Sequence, residues 1–447
     1  MEKLRQLFSS AELRKRLFFT LIMLLIHRLG MHISVPGVNA EVLAKKVGAE
    51  YLFNAMDMVS GGALKSFSIF ALGIAPYITA SIVLQLIGVV VPAVEHLQKK
   101  DGETGRNKIN QWTRYLTVGL ALVQGFGVAS LAQNLGSDVV IIHGLAFKLL
   151  CALTLAAGSI FVMWVGEQIT DRGIGNGISL LIFAGIVARL PKDVGTMGLM
   201  IKDSLANKGT VAPPGVFLLL FAVMLVVLLA VVLVENSYRR IPIHYARRVD
   251  SSSIASQHSS YLPLRVNTAG VMPVIFAGAV INFPAIIAEF TKTHWLQTLA
   301  DYVRPNVHIL IYTPIFVGVV IFFSFFYTSI VFNPDETADN MKKSGGYIPG
   351  VRPGKETSVY MDKILSKLTF VGAIYLTLVS IVPLLIASNI PGLNFYYGGT
   401  SLLIVVGVAL DTVAQLEGYQ VMRRYENFLE RGRIRGGRPI KVGGRTR

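Results

Sequence analysis

A single cysteine, Cys151, stands in the 447 residues, so no disulfide can form within the chain. Charge is scarce: 15% of residues are Asp, Glu, Lys or Arg, against roughly 25% in soluble domains. No phosphate-binding G-x-x-x-x-G-K-[ST] loop occurs; Gly354-Lys355-Glu356 is the nearest Gly-Lys and fails the pattern. There is no H-E-x-x-H, and no cluster of histidine, cysteine and carboxylate has metal-ligand spacing. Ionisable residues inside apolar runs usually mark ion or proton paths, and here they are few. Arg28 and Lys148 sit near run ends and can snorkel, while Asp411 lies in the last third of the last run and keeps a coupling role open. These absences leave no energy source, metal, cofactor or catalytic centre, so the chain reads as no enzyme.

What is present is apolar length. Hydrophobic residues make up 53% of the chain, and the mean hydropathy is +0.56. Ten runs approach the ~20 residues of a spanning helix: 17–36, 75–94, 115–134, 147–166, 176–190, 215–236, 268–289, 309–332, 367–389 and 400–417. The first continues into His27 and Arg28 without a small-residue cleavage pattern, so it reads as a span and not as a signal peptide. The net charge of +16 is unevenly placed. With ten spans, 31 Lys and Arg fall on the side of both termini and 8 on the other, a positive-inside pattern that puts both termini in the cytoplasm. The expected fold is an all-α polytopic membrane protein.

Ten spans divide into five and five, and an odd half must enter from the opposite side. Parity thus predicts inverted halves meeting near the midplane, although no residue-by-residue repeat is visible. The expected units are an N-terminal amphipathic helix (1–16), a first half (17–195), an external hinge loop (196–214), a second half (215–420) and a basic tail (421–447). Two cytoplasmic loops, 237–267 and 333–366, exceed what a connector needs. Paired cations in them (Arg239 and Arg240, Arg247 and Arg248, Lys342 and Lys343) can set topology or dock a cytosolic partner; Ile, Tyr and Pro favour ordered hairpins. The tail RGRIRGGRPIKVGGRTR can anchor the chain or meet nucleic acid or anionic lipid.

The stretch Met58–Val94 is apolar but broken by Gly61, Gly62, Gly73 and Pro76. Tyr77 to Val94 suffices for one span; Ser60 to Leu72 is left over and too short to cross. It is either a half-helix buried at membrane depth, where irregular backbone survives only inside protein or beside water, or an interfacial helix. Ile78 and Ile82 share one helical face, as do Ile182 and Ile186 on the fifth run. Such residues pack against lipid or neighbours, or line a pore.

Five stretches then carry a resemblance: SGGALKSFSIFALGIAPYITASIVLQL, DRGIGNGISLLIFAGIVA, LPLRVNTAGVMPVIFA, YIPGVRPGKETSVY and YYGGTSLLIVVGVALDT. Together, in this order, they resemble the bacterial SecY family, the channel subunit of the general protein-secretion translocon, over about residues 10–430. The resemblance implies ten helices in two inverted halves around a central pore, located in the bacterial plasma (inner) membrane. Its function would be to translocate unfolded preproteins and to release transmembrane segments sideways. It implies a plug at 60–72, with Ser60, Gly61, Gly62, Ser66, Phe67, Ile69 and Phe70. A pore ring would comprise Ile78, Ile82, Ile182, Ile186, Ile275 and Ile404, with Ile178 as the alternative to Ile186 one turn away. A lateral gate between spans two, three, seven and eight would be held by Gln85, Gln124 and Asn282. Docking would fall to Arg352, Arg247, Arg248 and Arg265, in loops where the polar run Asp250-Ser251-Ser252-Ser253 departs from the family's more basic pattern. Implied partners are the SecE and SecG subunits, the SecA ATPase, the ribosome, the signal sequences of preproteins and membrane lipid, with no small-molecule substrate. The rival classes are a secondary transporter, which needs a polar midplane site, and a pore-less scaffold, which has no use for a broken helix.

Overall fold

The computed structural model describes residues 11–39, 42, 61–64, 66–99, 102–134, 138–141, 144–205, 213–245, 260–291, 295, 298, 302, 309–388 and 399–435. Each of the ten apolar runs has most of its length in one helix: α1 (Ala11–Gly30), α2 (Ala75–Val90), α4 (Gly102–Asn134), α5 (Leu145–Arg172), α6 (Gly177–Leu205), α7 (Pro214–Glu235), α8 (Met272–Thr291), α9 (Ile309–Val331), α11 (Lys355–Ser388) and α12 (Gly399–Arg435). Short α3 (Pro92–Lys99) and α10 (Pro334–Lys343) lie between them. Six of the ten are long and apolar enough to cross a membrane by length and composition, while Ala75–Val90 and Met272–Ile281 are shorter apolar stretches.

Several boundaries move from those expected. Residues 11–16 continue directly into the first span as one helix, α1, so no separate surface helix exists there; residues 1–10 lie outside the described set. The supposed hinge loop is helical as far as Leu205, with Pro191 inside α6. Helices α4 and α11 run well past their apolar cores at the basic end, and α12 stays helical through Arg435, into what reads as tail. Hydropathy marks only the stretch that lipid covers; a helix whose backbone is already hydrogen-bonded has no reason to stop there.

The ends are set by local chemistry. The Asn176 Oδ1 accepts from the amides of Ile178 and Ser179 at 3.1 and 3.3 Å and starts α6. Asn333 does the same for α10 by accepting from Asp335 and Glu336. That helix has acids in its first turn and Lys342 and Lys343 in its last, as the helix dipole favours.

The helix pairings repeat between the halves. In the first, α5 packs on α1, α2, α4 and α6, and α1 also meets α6 while α2 meets α4. In the second, α11 packs on α7, α8, α9 and α12, and α7 also meets α12 while α8 meets α9. Shifting each helix by five positions in the span order maps one set onto the other. The repeat absent at the residue level is therefore present in the packing. The two hub helices are also the most enclosed of the six long spans, at 56% and 50%. Between halves, α6 contacts α12 and α7, and α4 contacts α8.

The two long loops join in one structure. Strand β1 (Tyr238–Tyr245) pairs antiparallel with β2 (Ser260–Arg265) on one edge and β3 (Gly346–Tyr347) on the other. Ile241, Ile243 and Leu264 pack with Met341, Ile348, Met361 and Leu365, so the sheet rests on α10 and on the extension of α11.

Candidate pore, gate and docking surface

The six isoleucines come from four helices and none is exposed. Ile182 and Ile186 are buried in one apolar cluster, against which Ile78 and Ile404 pack. Ile82 is buried in an adjoining cluster with Ile78 and Ile275. Ile78 belongs to both, so the two clusters are continuous through it. Ile178, the alternative on α6, turns toward α5: its Cγ1 would lie 3.3 Å from a Cβ placed on Gly166. The result is a branched, apolar junction between helices of both halves.

Residues 61–64 and 66–74 do not form the expected half-helix. They are a chain of turns, closed by hydrogen bonds such as Phe67 N to Leu64 O (3.0 Å), Ala71 N to Ser68 O (2.9 Å) and Gly73 N to Phe70 O (2.8 Å). Positive φ at Gly61, Gly62 and Gly73 explains why helix cannot propagate. Ser60 lies outside the described residues. From Ser66 onward the segment is built into the first half. Val35 N donates to Phe67 O and Ile69 N to Ile33 O, both at 2.9 Å, and Ser66 Oγ donates to Met31 O at 3.1 Å. Phe67 and Leu72 sit in the core with Phe147 and Leu155, and Phe70 stacks between His27 and Phe161. Glycines make room for it: a Cβ on Gly158 would lie 1.8 Å from Ile69 O, and one on Gly30 1.9 Å from the Phe70 ring. The entrance to the segment is held differently. Gly61 lies against Gly185 of α6, where a Cβ on Gly61 would come within 2.6 Å of the Gly185 Cα. Gly185 sits between Ile182 and Ile186, so this backbone contact falls beside the isoleucine junction.

The expected polar latch of the gate is not what closes the seam among the described side chains. Gln85 donates to Ser81 of its own helix at 3.2 Å, and its buried Oε1 has no partner. Gln124 is half-buried on α4, and the side chain of Asn282, on α8, lies outside the described set. Instead, Ile82 of α2 packs with Phe276 of α8 and Phe323 of α9. Phe276 meets the Phe323 and Tyr327 rings edge-on at 5.6 and 6.0 Å, the favoured geometry for aromatic pairs. The sequence carried a signal for this seam in the aromatic run FFSFFY (322–327), which hydropathy alone reads as ordinary span.

On the basic side, Arg352 is exposed in a fixed loop. Val351 is tied to Ile348 O at 3.1 Å, and Arg352 O accepts from the Thr357 hydroxyl at 2.8 Å, so the backbone is pinned while the guanidinium stays free to reach out. Arg247 and Arg248 lie outside the described residues. Arg265 is not free: its Nη1 lies 3.2 Å from Asp411 Oδ1. Burial opposes the charge of Arg265, but the bond to Asp411 and that carboxylate's field outweigh it, so its pKa stands above the usual arginine value. The same contact answers the coupling role left open for Asp411, which is paired with an arginine of the β1–β2 hairpin and is not among the clustered isoleucines. A bidentate pair of Arg114 with Glu167, at 2.8 and 2.9 Å, joins α4 to α5 on this side. Among the described residues no group of three or more His, Cys, Asp or Glu could hold a metal.

The SecY family model matches residues 68–413. The protein translocase subunit SecY of Escherichia coli K12 is 44% identical over 440 residues, covering 95% of this chain and 96% of the relative. Two solved structures share the fold at lower identity. One, of a SecY whose plug domain stabilises the closed translocation channel and maintains a membrane seal, matches with a TM-score of 0.66 and 19% identity, covering 91% of this chain and 92% of that one. The other, Sec61 in the canine ribosome–channel complex from the endoplasmic reticulum, matches with a TM-score of 0.63 and 18% identity over 91% and 93%.

Proposed function

The chain belongs to the SecY family, and from that premise we propose how its parts divide the work of a protein-conducting channel. The channel carries unfolded polypeptide and is not an enzyme. Its constriction is the junction of Ile78, Ile82, Ile182, Ile186, Ile275 and Ile404. The observation that carries this reading is their convergence from α2, α6, α8 and α12 into two clusters sharing Ile78. Branched aliphatic side chains with no polar partner exclude water when nothing is threaded, and so gate ions by dewetting. The segment entered at Gly61 is the plug, seated on Gly185. The seam of Ile82 with Phe276 and Phe323 is the lateral gate, with Gln85, Gln124 and Asn282 nearby.

The three-stranded platform is the docking surface for the SecA ATPase and the ribosome, which supply the work, and SecE and SecG are bound subunits. The charge asymmetry supports termini in the cytoplasm, and the bacterial relatives support residence in the bacterial plasma membrane. The test uses the lone cysteine. Replacing buried Cys151 with alanine and Ile404 with cysteine gives one reactive site. An arrested secretory chain carrying a thiol-reactive probe should crosslink there, and not at a cysteine placed on lipid-facing Leu229. Equal labelling of the two sites overturns the pore assignment.

Arg352 gives a separate prediction. Its pinned backbone presents one guanidinium to a partner carboxylate or phosphate. Arg352→Glu should lower SecA-driven transport at least ~10-fold, since reversal replaces a charge-assisted bond with repulsion. The variant should still insert and show the resting conductance of the parent. Transport at the parental rate removes Arg352 from the docking surface.

A further inference from the structure

We propose that Arg265 is a binding site for an acidic group of the cytosolic partner, and that Asp411 occupies this site in the resting chain as a releasable latch. The inference rests on the docking reading above and adds to it an exchange of anions. Arg265 is the last residue of β2, on the docking platform. Its partner Asp411 is 146 residues away, on α12. Both side chains remain open to water, at 46% and 62% of full exposure. An exposed single-contact pair is weak and screened by salt, so an incoming carboxylate or phosphate can displace Asp411 without a large barrier. A bidentate ligand would use the guanidinium fork better than the one 3.2 Å contact does.

The latch is placed to matter. Asp411 follows Ile404 by seven residues on the same helix, about 10 Å along the axis at 1.5 Å per residue. The platform side of the latch is held firmly. Asn267, buried at 3% exposure, donates to Glu235 Oε1 at 2.7 Å and to Gly270 O at 3.1 Å. Val266 N donates to Ser237 O at 3.1 Å and closes the base of the hairpin. Glu235 ends α7, so the hairpin is fixed to the second half by buried bonds, while the ion pair described between it and α12 is exposed. Release of Asp411 therefore frees the guanidinium but leaves the platform in place, and α12 stays held by its packing on α6, α7 and α11.

The two members of the pair should respond to mutation with opposite signs. With full-length channel reconstituted in vesicles and purified SecA as the probe, Asp411→Asn uncaps Arg265 and should raise SecA affinity about two- to fivefold, the range of an exposed ion pair. Arg265→Gln should lower affinity. Neither should change resting ion conductance, because α12 stays packed on α6, α7 and α11. The exchange Arg265→Asp with Asp411→Arg should restore the ion pair but not the affinity. A merely structural pair predicts that both single variants change affinity in the same direction, and that result overturns the proposal. Failure of the docking reading looks different: there, Arg352→Glu also leaves SecA affinity untouched.

Discussion

Ile82→Lys and Ile404→Lys are each expected to raise the resting ion conductance of the reconstituted channel tenfold or more. The closed junction is a barrier because its walls offer water nothing to bond. A lysine at membrane depth costs ~2.5–3.5 kcal/mol when left to lipid or apolar protein, and the least costly relief is to draw water to the ammonium. Hydrating the junction removes its dewetting barrier, and each ~1.4 kcal/mol removed is worth tenfold in rate. The structure separates the two sites. Ile82 is 4% exposed and packs on Phe276 and Phe323 across the seam, so Ile82→Lys should also weaken gate closure and admit preproteins with defective signal sequences. Ile404 packs on the Ile182 and Ile186 cluster and not on the aromatic seam, so Ile404→Lys should leak with less relaxation of signal selectivity. Leucine at either position conserves volume and should change conductance little. Single-channel recording and a transport assay with a signal-sequence mutant check both parts. Parental conductance in both lysine variants removes these residues from the constriction.

Gly61→Val should open a second leak, at the plug's seat. Two physical effects add. Gly61 has φ of +68°, where a β-branched residue is strained, and its Cβ would lie 2.6 Å from the Gly185 Cα, inside any permissible contact. The segment must lift from α6 at this point. Gly185→Ala approaches the same contact from the other side, with 3.2 Å to the Gly61 Cα and no positive φ, so its leak should be smaller. Deleting residues 60–72 is the wrong experiment: it would remove Phe67, Phe70 and Leu72 from the core along with the hydrogen bonds to Ile33 and Val35. The expected signature of Gly61→Val is a folded channel of normal thermal stability with conductance several-fold above the parent. A tight channel bearing valine at this position rules out the seat.

These tests differ from those the sequence alone suggests, and the differences follow from what kind of information each property needs. Composition and hydropathy marked the apolar runs and the break around Gly61 to Pro76, and the charge asymmetry gave an expectation for the side of the termini. A bilayer reads those one segment at a time, so they are written locally. The family motifs added which isoleucines belong together. Helix partners were not legible, because in lipid every apolar face is equally content and the choice falls to close approach at small residues; Gly125 of α4 against Ala152 of α5 is such an approach. The half-helix became a set of turns because its backbone found partners in residues 31–35. Two loops about a hundred residues apart became one sheet through β1, which pairs with both. Arg265 looked free for docking until folding brought Asp411 to it from the last helix. Contacts between residues far apart in the chain leave no period or motif near either one, and only the tertiary structure decides them.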